Sequence, residues 1–131
     1  MMSQDEIIET MERFRNLINE ADSIVKQCEM DINEADKAFG DIRHYCELNS
    51  GIESTKKTKI CKLIRDYSAR RRRAKDTLAV IGGLAELLKK DNSMKYNVCK
   101  VVNDAKKSWR FISGERRYTP RVLDELFEDN K

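Results

Sequence analysis

Twelve apolar residues in the first half of the chain recur at an almost unbroken 4-3-4-3 spacing: Ile7, Met11, Phe14, Ile18, Ala21, Val25, Cys28, Ile32, Ala35, Phe39, Ile42 and Cys46. This is the spacing of a coiled-coil seam. A helix that carries such a stripe has to pack it against another helix. The pattern therefore predicts a long helix with a helical partner, but it does not indicate what the protein does.

Helix caps and breakers predict four helices in a single domain over residues 1–131. Ser-x-x-Glu capping boxes begin the first two helices, at Ser3 and at Ser50. Because the break between these helices is short, we expect them to be antiparallel neighbours. The predicted fold is all-α, a long antiparallel, coiled-coil-like hairpin on which a third and a short fourth helix pack. The segments are a long acidic helix over 1–50, a long basic helix over 51–90, a third helix over 93–112 and a short C-terminal helix over 119–129.

The net charge of +3 hides a strong asymmetry between the first two segments. Residues 1–50 carry 12 acidic and 5 basic side chains, whereas residues 51–90 carry 12 basic and 4 acidic ones. Opposite charges of this kind help two antiparallel helices to select each other. The basic segment can therefore be explained without a nucleic acid.

The remaining composition argues against several functional classes. The longest apolar stretch, residues 78–88, is too short to span a membrane, and the acidic start lacks the layout of a signal peptide, so we expect a cytoplasmic protein. Without a CxxC pair, the cysteines are expected to act as small buried hydrophobes. His44 is the only histidine, and no nucleotide-binding or catalytic motif is found. We therefore expect a non-enzymatic protein without a cofactor or metal.

Four consecutive arginines interrupt the apolar stripe of the second helix: Arg70, Arg71, Arg72 and Arg73. Folding the hairpin about Ser50 places Arg71, which lies on the stripe, level with Glu29 and near Asp31. Two interpretations remain open. One is an Arg–Asp or Arg–Glu pair that sets the register of the helices. The other is an anion pocket in which the arginines and Lys75 bind phosphates.

A second candidate patch interleaves basic and aromatic residues near the C-terminus: Trp109, Arg110, Arg116, Arg117, Tyr118 and Arg121. Such a pattern suits contacts with phosphates and bases. The alternative is that Trp109 and Tyr118 pack in the core and that the arginines are solvated. The candidate ligand-binding residues are therefore Arg70, Arg71, Arg72, Arg73, Lys75, Trp109, Arg116, Arg117, Tyr118 and Arg121.

A further apolar stripe on the first helix predicts self-association. It consists of Leu17, Ile24, Ala38 and Tyr45, with Asp31 as its polar interruption. The third and fourth helices are too short to cover the whole first helix, so this stripe would be exposed in a monomer. We therefore expect a homodimer or a higher oligomer.

Three basic stretches carry a resemblance to a known group of proteins: Lys62-Leu63-Ile64-Arg65, Arg70-Arg71-Arg72-Arg73-Ala74-Lys75-Asp76 and Arg117-Tyr118-Thr119-Pro120-Arg121-Val122-Leu123. Through them, residues 45–125 resemble small uncharacterised helical proteins of phages, prophages and mobile elements of low-GC Gram-positive bacteria. The resemblance implies a phage-type accessory protein that acts by binding in a bacterial cytoplasm, for example against a host defence. The first hypothesis is therefore a protein that captures an anionic partner, either a nucleotide messenger or a nucleic acid. The alternative is a protein–protein adaptor or inhibitor that presents an oligomeric helical surface to a host protein.

Overall fold

The computed structural model describes residues 1–115 and 118–126, and these residues confirm the predicted all-α fold. Three helices dominate, α1 (Gln4–Leu48), α2 (Ser54–Lys90) and α3 (Met94–Arg110). A π-helical turn, Phe111–Glu115, continues α3, and a 3-10 turn follows at Asp124–Leu126. Within the described ranges there is no strand, and none of the helices combines the length and the hydropathy needed to cross a bilayer.

The first two helices begin in different ways. At the start of α1, the predicted capping box is present. Ser3 Oγ accepts a hydrogen bond from the Glu6 N–H (3.2 Å), and Glu6 Oε2 accepts one from the Ser3 N–H (3.1 Å). By contrast, α2 begins three residues after its predicted start, with Glu53 as an N-cap that makes no side-chain cap hydrogen bond. The non-helical residues 49–53 reverse the chain between the two helices.

Both later helices run antiparallel to α1 and follow one another along it. Near the start of α2, Lys56 Nζ lies 5.3 Å from the centroid of the Tyr45 ring. The end of α2 reaches the core around Ile18. Beyond that level α3 takes over, and Lys106 Nζ lies 3.1 Å from Glu12 Oε1. The part of α1 from about Ile18 onward is thus paired with α2, and the part before it with α3.

The main hydrophobic core lies where α2 ends and α3 begins. Its buried members come from α1 and α2, and partly buried residues of all three helices pack against them: Ile18, Ala21, Ile81 and Leu88, with Ile24, Val25, Leu84, Met94 and Val98 around them. The turn beside this core is held by Asp91, whose Oδ1 accepts hydrogen bonds from Ser93 Oγ (2.6 Å) and the Ser93 N–H (3.1 Å). These bonds lower the pKa of Asp91 below its ordinary value.

The helix predicted over 119–129 is not formed in the described part of that range. Arg121 and Val122 lie in a bend, and the helical part is limited to the 3-10 turn Asp124–Leu126. Residues 127–129 lie outside the described residues. A helix of this length is marginal without tertiary packing. Here Val122 and Leu126 remain exposed, so little packing is available to stabilise it.

The four cysteines are free thiols in different environments. Cys28 is buried in the α1 seam, and Cys99 is half-buried. Cys46 and Cys61 are exposed, which corrects the expectation that all four are buried. Both lie at the turn end of the hairpin, where neither helix has a buried residue. Among the residues that the structure describes, no group of histidine, cysteine and carboxylate side chains could hold a metal ion.

Candidate functional site

Arg70 and Arg71 lie on opposite edges of the contact between α1 and α2, because consecutive helical residues point about 100° apart. Arg70 Nη2 donates hydrogen bonds to Asp31 Oδ1 and to Glu34 Oε2, each at 2.8 Å. Arg71 Nε donates to Asp36 Oδ1 at 2.9 Å. The two arginines therefore hold α2 against α1 from both sides of the seam.

The pair between Arg70 and Asp31 is the more shielded of these contacts, with side chains that are 36% and 22% exposed. The hydrogen bond from Arg70 is the main cause that lowers the pKa of Asp31, and a hydrogen bond from Gln27 Nε2 (3.1 Å) contributes. In turn, Asp31 and then Glu34 raise the pKa of Arg70. This geometry is that of an inter-helix pair that sets register.

The sequence anticipated Asp31 as the polar break in α1, but it did not identify the partners of the arginines. Arg71 pairs with Asp36 instead of lying level with Glu29. The reason is that Arg71 lies at the edge of the interface, and its long side chain reaches a carboxylate on the flank of α1. A usable signal was present, since two adjacent arginines at a seam must reach acids on both flanks of the facing helix.

The other cations of the cluster form no direct ion pair with α1, but Arg73 lies close enough to Asp31 to help lower the pKa of that carboxyl. Arg72, Arg73 and Lys75 are exposed and make no ion pair within the described chain. They extend a row of exposed cations that covers about 27 Å of helix at 1.5 Å per residue. The only acidic residue in this stretch is Asp66. We call this row the outer basic face of α2, and it consists of Lys57, Lys59, Lys62, Arg65, Arg72, Arg73 and Lys75.

The members of the second predicted patch lie in different places. Trp109 is half-buried and lines a hollow of about 230 Å³ beside Ile7 and Ile8 of α1. Tyr118 and Arg121 line another hollow, of about 330 Å³, which residues 118–126 form among themselves. The two hollows share no residue. Arg116 and Arg117, which the sequence also proposed as ligand-binding residues, lie outside the described residues.

An apolar groove runs along the contact between α1 and α3. One end is the hollow beside Trp109, and the other is a hollow of about 280 Å³. All the residues that line the two hollows are uncharged. We call them the α1–α3 groove, and they are Gln4, Ile7, Ile8, Met11 and Phe14 of α1, Asn97, Val98, Val101, Val102, Ala105, Ser108 and Trp109 of α3, and Ile112 of the π-helical turn.

The stripe from which the sequence predicted self-association is largely covered. Ile24 packs against the core, and Ala38 and Tyr45 are half-buried. Leu17 is the one exposed member of this stripe. The covering helix is α2, which takes up more of the circumference of α1 than the heptad pattern indicates. The α1–α3 groove, which the sequence did not single out, is the larger apolar surface at this end.

Comparison of the chain with protein-family models, with curated proteins and with solved structures finds no match in any of the three. The functional argument therefore rests on the charges and surfaces of this chain.

Proposed function

We propose that this protein is a non-enzymatic binding protein that captures a polyanion, of the nucleic-acid type, on the outer basic face of α2. The supporting observation is that its seven cations are exposed and make no ion pair within the described residues. Pairing between α1 and α2 engages Arg70 and Arg71. Pairing between α1 and α2 thus leaves most of the basic side chains of α2 without an ion pair within the described residues.

The layout of the cations favours an extended ligand over a single nucleotide. A nucleotide messenger is best held by cations that converge on a hollow. Arg72, Arg73 and Lys75 line none of the three hollows described above. Charges spread along the solvent side of one helix, over roughly 200° of its circumference at 100° per residue, instead match the repeated phosphates of a nucleic acid, whose binding is driven by the release of condensed counterions.

The ten candidate ligand-binding residues take different roles in this proposal. Arg72, Arg73 and Lys75 contact the polyanion directly, whereas Arg70 and Arg71 position α2 by holding it against α1. Trp109, Tyr118 and Arg121 lie in separate hollows, and Arg116 and Arg117 lie outside the described residues, so the proposal does not depend on these five.

The test is fluorescence anisotropy with labelled single-stranded and double-stranded DNA over a series of salt concentrations. We expect affinity to fall steeply with salt, because each phosphate contact releases counterion. The double substitution Arg72→Glu with Arg73→Glu should weaken binding at least about tenfold and reduce the salt slope by about two.

The matched control is Lys37→Glu with Arg43→Glu, which makes the same change in net charge at two exposed positions of α1. This variant should keep most of the affinity and the salt slope of the unmodified protein. Binding that is absent at low salt, or that both double variants lose equally, would contradict the proposal.

The second candidate function is a protein–protein adaptor or inhibitor, and the α1–α3 groove favours it. An uncharged apolar groove is suited to another protein surface and not to a polyanion. This function predicts partner binding that survives Arg72→Glu with Arg73→Glu and an absence of salt-dependent affinity for DNA.

The setting of either function is also part of the proposal. The resemblance of residues 45–125 to phage-type proteins supports an accessory role in a bacterial cytoplasm, directed against a host defence. We further propose that the working form is a homo-oligomer, because so much apolar surface is left open in the single chain.

A further inference from the structure

We propose that the α1–α3 groove is a self-association surface, and that its occupant is the same groove of a second copy of this chain. Two α1–α3 pairs would then form a four-helix bundle around a shared apolar core. This inference goes beyond polyanion capture and is independent of it, because the groove shares no residue with the outer basic face of α2. It is an alternative to use of the groove by an adaptor, since a groove filled by a second copy cannot bind a host protein.

The groove presents one continuous apolar strip. Ile7 and Phe14 are seven residues apart, so they lie on the same side of α1. Val101 and Ile112 are eleven residues apart, or about three helical turns, and they likewise share one side of α3 and its continuation. All four are between 43% and 56% exposed. The two hollows of the groove follow one another along this strip.

Neither helix buries its apolar stripe at this end. Val102 is the one buried residue of α3, and α1 has no buried residue among those that precede Ile18. A pair of helices can bury only the line of contact between them, whereas a four-helix bundle encloses a core on all sides. The missing half of such a bundle is another pair of helices with the same apolar strip.

The accessible surface of the chain is large enough for this interface. A compact monomer of 15.3 kDa would expose about 7,100 Å². The chain exposes 10728 Å², which is about half as much again. A stable interface of standard size needs about 800 Å² from each partner. The excess shows that the chain is extended, and it is larger than the area that one interface of standard size needs.

The net charges of the two helices that form the groove fit a second copy as well. Residues 4–18 of α1 carry four acidic and two basic side chains, and residues 94–110 of α3 carry five basic and one acidic. In a twofold bundle, α1 of one copy lies beside α3 of the other. The net-acidic start of α1 in one copy then lies beside the net-basic α3 of the other, while the uncharged grooves pack together at the centre.

The test is sedimentation equilibrium of the full chain over a wide range of concentration, at high salt so that the outer basic face does not contribute. We expect a reversible dimer. Val101→Asp and Ile112→Asp, each made separately, should raise the dimer dissociation constant at least about tenfold, because each places a charge in the desolvated centre. Circular dichroism should show unchanged helix content, since both positions are half-exposed in the single chain.

The matched control is Val80→Asp, which introduces the same charge at an exposed valine of α2, away from the groove. It should leave the dimer dissociation constant unchanged. A monomer at every concentration would overturn the inference. A dimer that resists both groove variants, or that Leu123→Asp in the C-terminal segment dissociates instead, would also overturn it.

Discussion

Helix α1 meets its two neighbours in different ways. Against α2, the contact includes small buried residues such as Ala35 and Ala74. Near them, the ion pairs of Arg70 and Arg71 lie at the edges of the interface. Against α3, the contact has one buried residue of α3 and one inter-helix ion pair, between Lys106 and Glu12. The same long stripe is thus buried by its own chain through the middle of α1 and left partly open where α3 covers it.

The two contacts of α1 therefore have different roles. Ion pairs at the edges of an interface specify register and choice of neighbour, although they add modest stability when they are partly exposed. An exposed apolar strip does little to select a register or a partner, but its burial supplies most of the free energy of association. The hairpin therefore fixes the shape of the chain, and the α1–α3 end remains available for assembly.

The largest effect should come from the junction of the two regions, at Ile18. This side chain is fully buried among α1, α2 and α3. Ile18→Ala should lower the free energy of unfolding by about 2–5 kcal/mol, since it removes buried methyl groups and leaves a cavity. Urea unfolding followed by circular dichroism measures this loss.

The control on the same helix is Met30→Ala, at an exposed position, which should change the free energy of unfolding by about 0.5 kcal/mol or less. If the two substitutions lower the free energy of unfolding equally, the core is not at the junction, and the comparison between the two regions fails.

A smaller effect should come from the ion pairs that close the hairpin. Arg70→Ala removes the partner of both Asp31 and Glu34, so it should lower the thermal unfolding midpoint, though by less than Ile18→Ala does. The neighbouring substitution Arg72→Ala removes an exposed cation without an ion pair and should change the midpoint least. Equal midpoints for the two arginine variants would show that Arg70 does not hold the helices together.

The same contact should give stability a dependence on acid pH. Arg70 holds the pKa of Asp31 below its ordinary value of 3.8, so protons bind more readily to the unfolded chain. The contribution of the pair to stability is therefore present above pH 3.8 and is lost as the pH falls through the lower pKa of the folded state. Asp31→Asn should be less stable than the unmodified protein at neutral pH. The difference in stability between the two proteins should shrink below pH 3.8. A difference that is constant with pH would contradict this assignment.

A gain in stability is expected at a glycine of α2 near the junction. Two adjacent glycines inside a helix are typical of close packing or of a hinge, but a Cβ at Gly83 would meet no atom within 4 Å. Gly83→Ala should raise the free energy of unfolding by about 0.5–1 kcal/mol through helix propensity alone. Gly40→Ala, at an equally open position of α1, should give a similar gain. A loss of stability at Gly83 alone would mean that the junction needs its flexibility.

Most of the fold was predictable because it follows from local signals. The capping box of Ser3 with Glu6 and the break between the second and third helices each act over a few residues, and the structure confirms both. The heptad stripe predicted the long helix α1, but Ile7, Phe14 and Cys46 of that stripe are exposed. What the sequence could not show is where α3 lies relative to α2. That placement depends on the path of the chain through Asp91 and Ser93, which no periodic pattern encodes. The fourth helix was predicted from caps alone, and these do not replace tertiary packing.

The candidate site was predictable in type but not in orientation. A run of four arginines in an apolar stripe must place some of them toward the neighbouring helix, and Asp31 was recognisable as a polar break. Which arginine faces which acid depends on register to within about one residue, because a shift of one position rotates a side chain by about 100°. The α1–α3 groove escaped notice because Val101 and Ile112 are ordinary members of an apolar stripe. Their exposure is a property of packing.

Hydrogen exchange measured by mass spectrometry, at protein concentrations well above and well below that of dimer formation, tests the contrast between the two regions most directly. We predict that amides of residues 4–18 and 94–112 gain protection as concentration rises, because the second copy covers the groove. Amides of α1 and α2 on either side of the contact between Asp31 and Arg70 should exchange at the same rate at both concentrations. Protection that is independent of concentration at the α1–α3 end, or that changes mainly in the hairpin, would contradict the account.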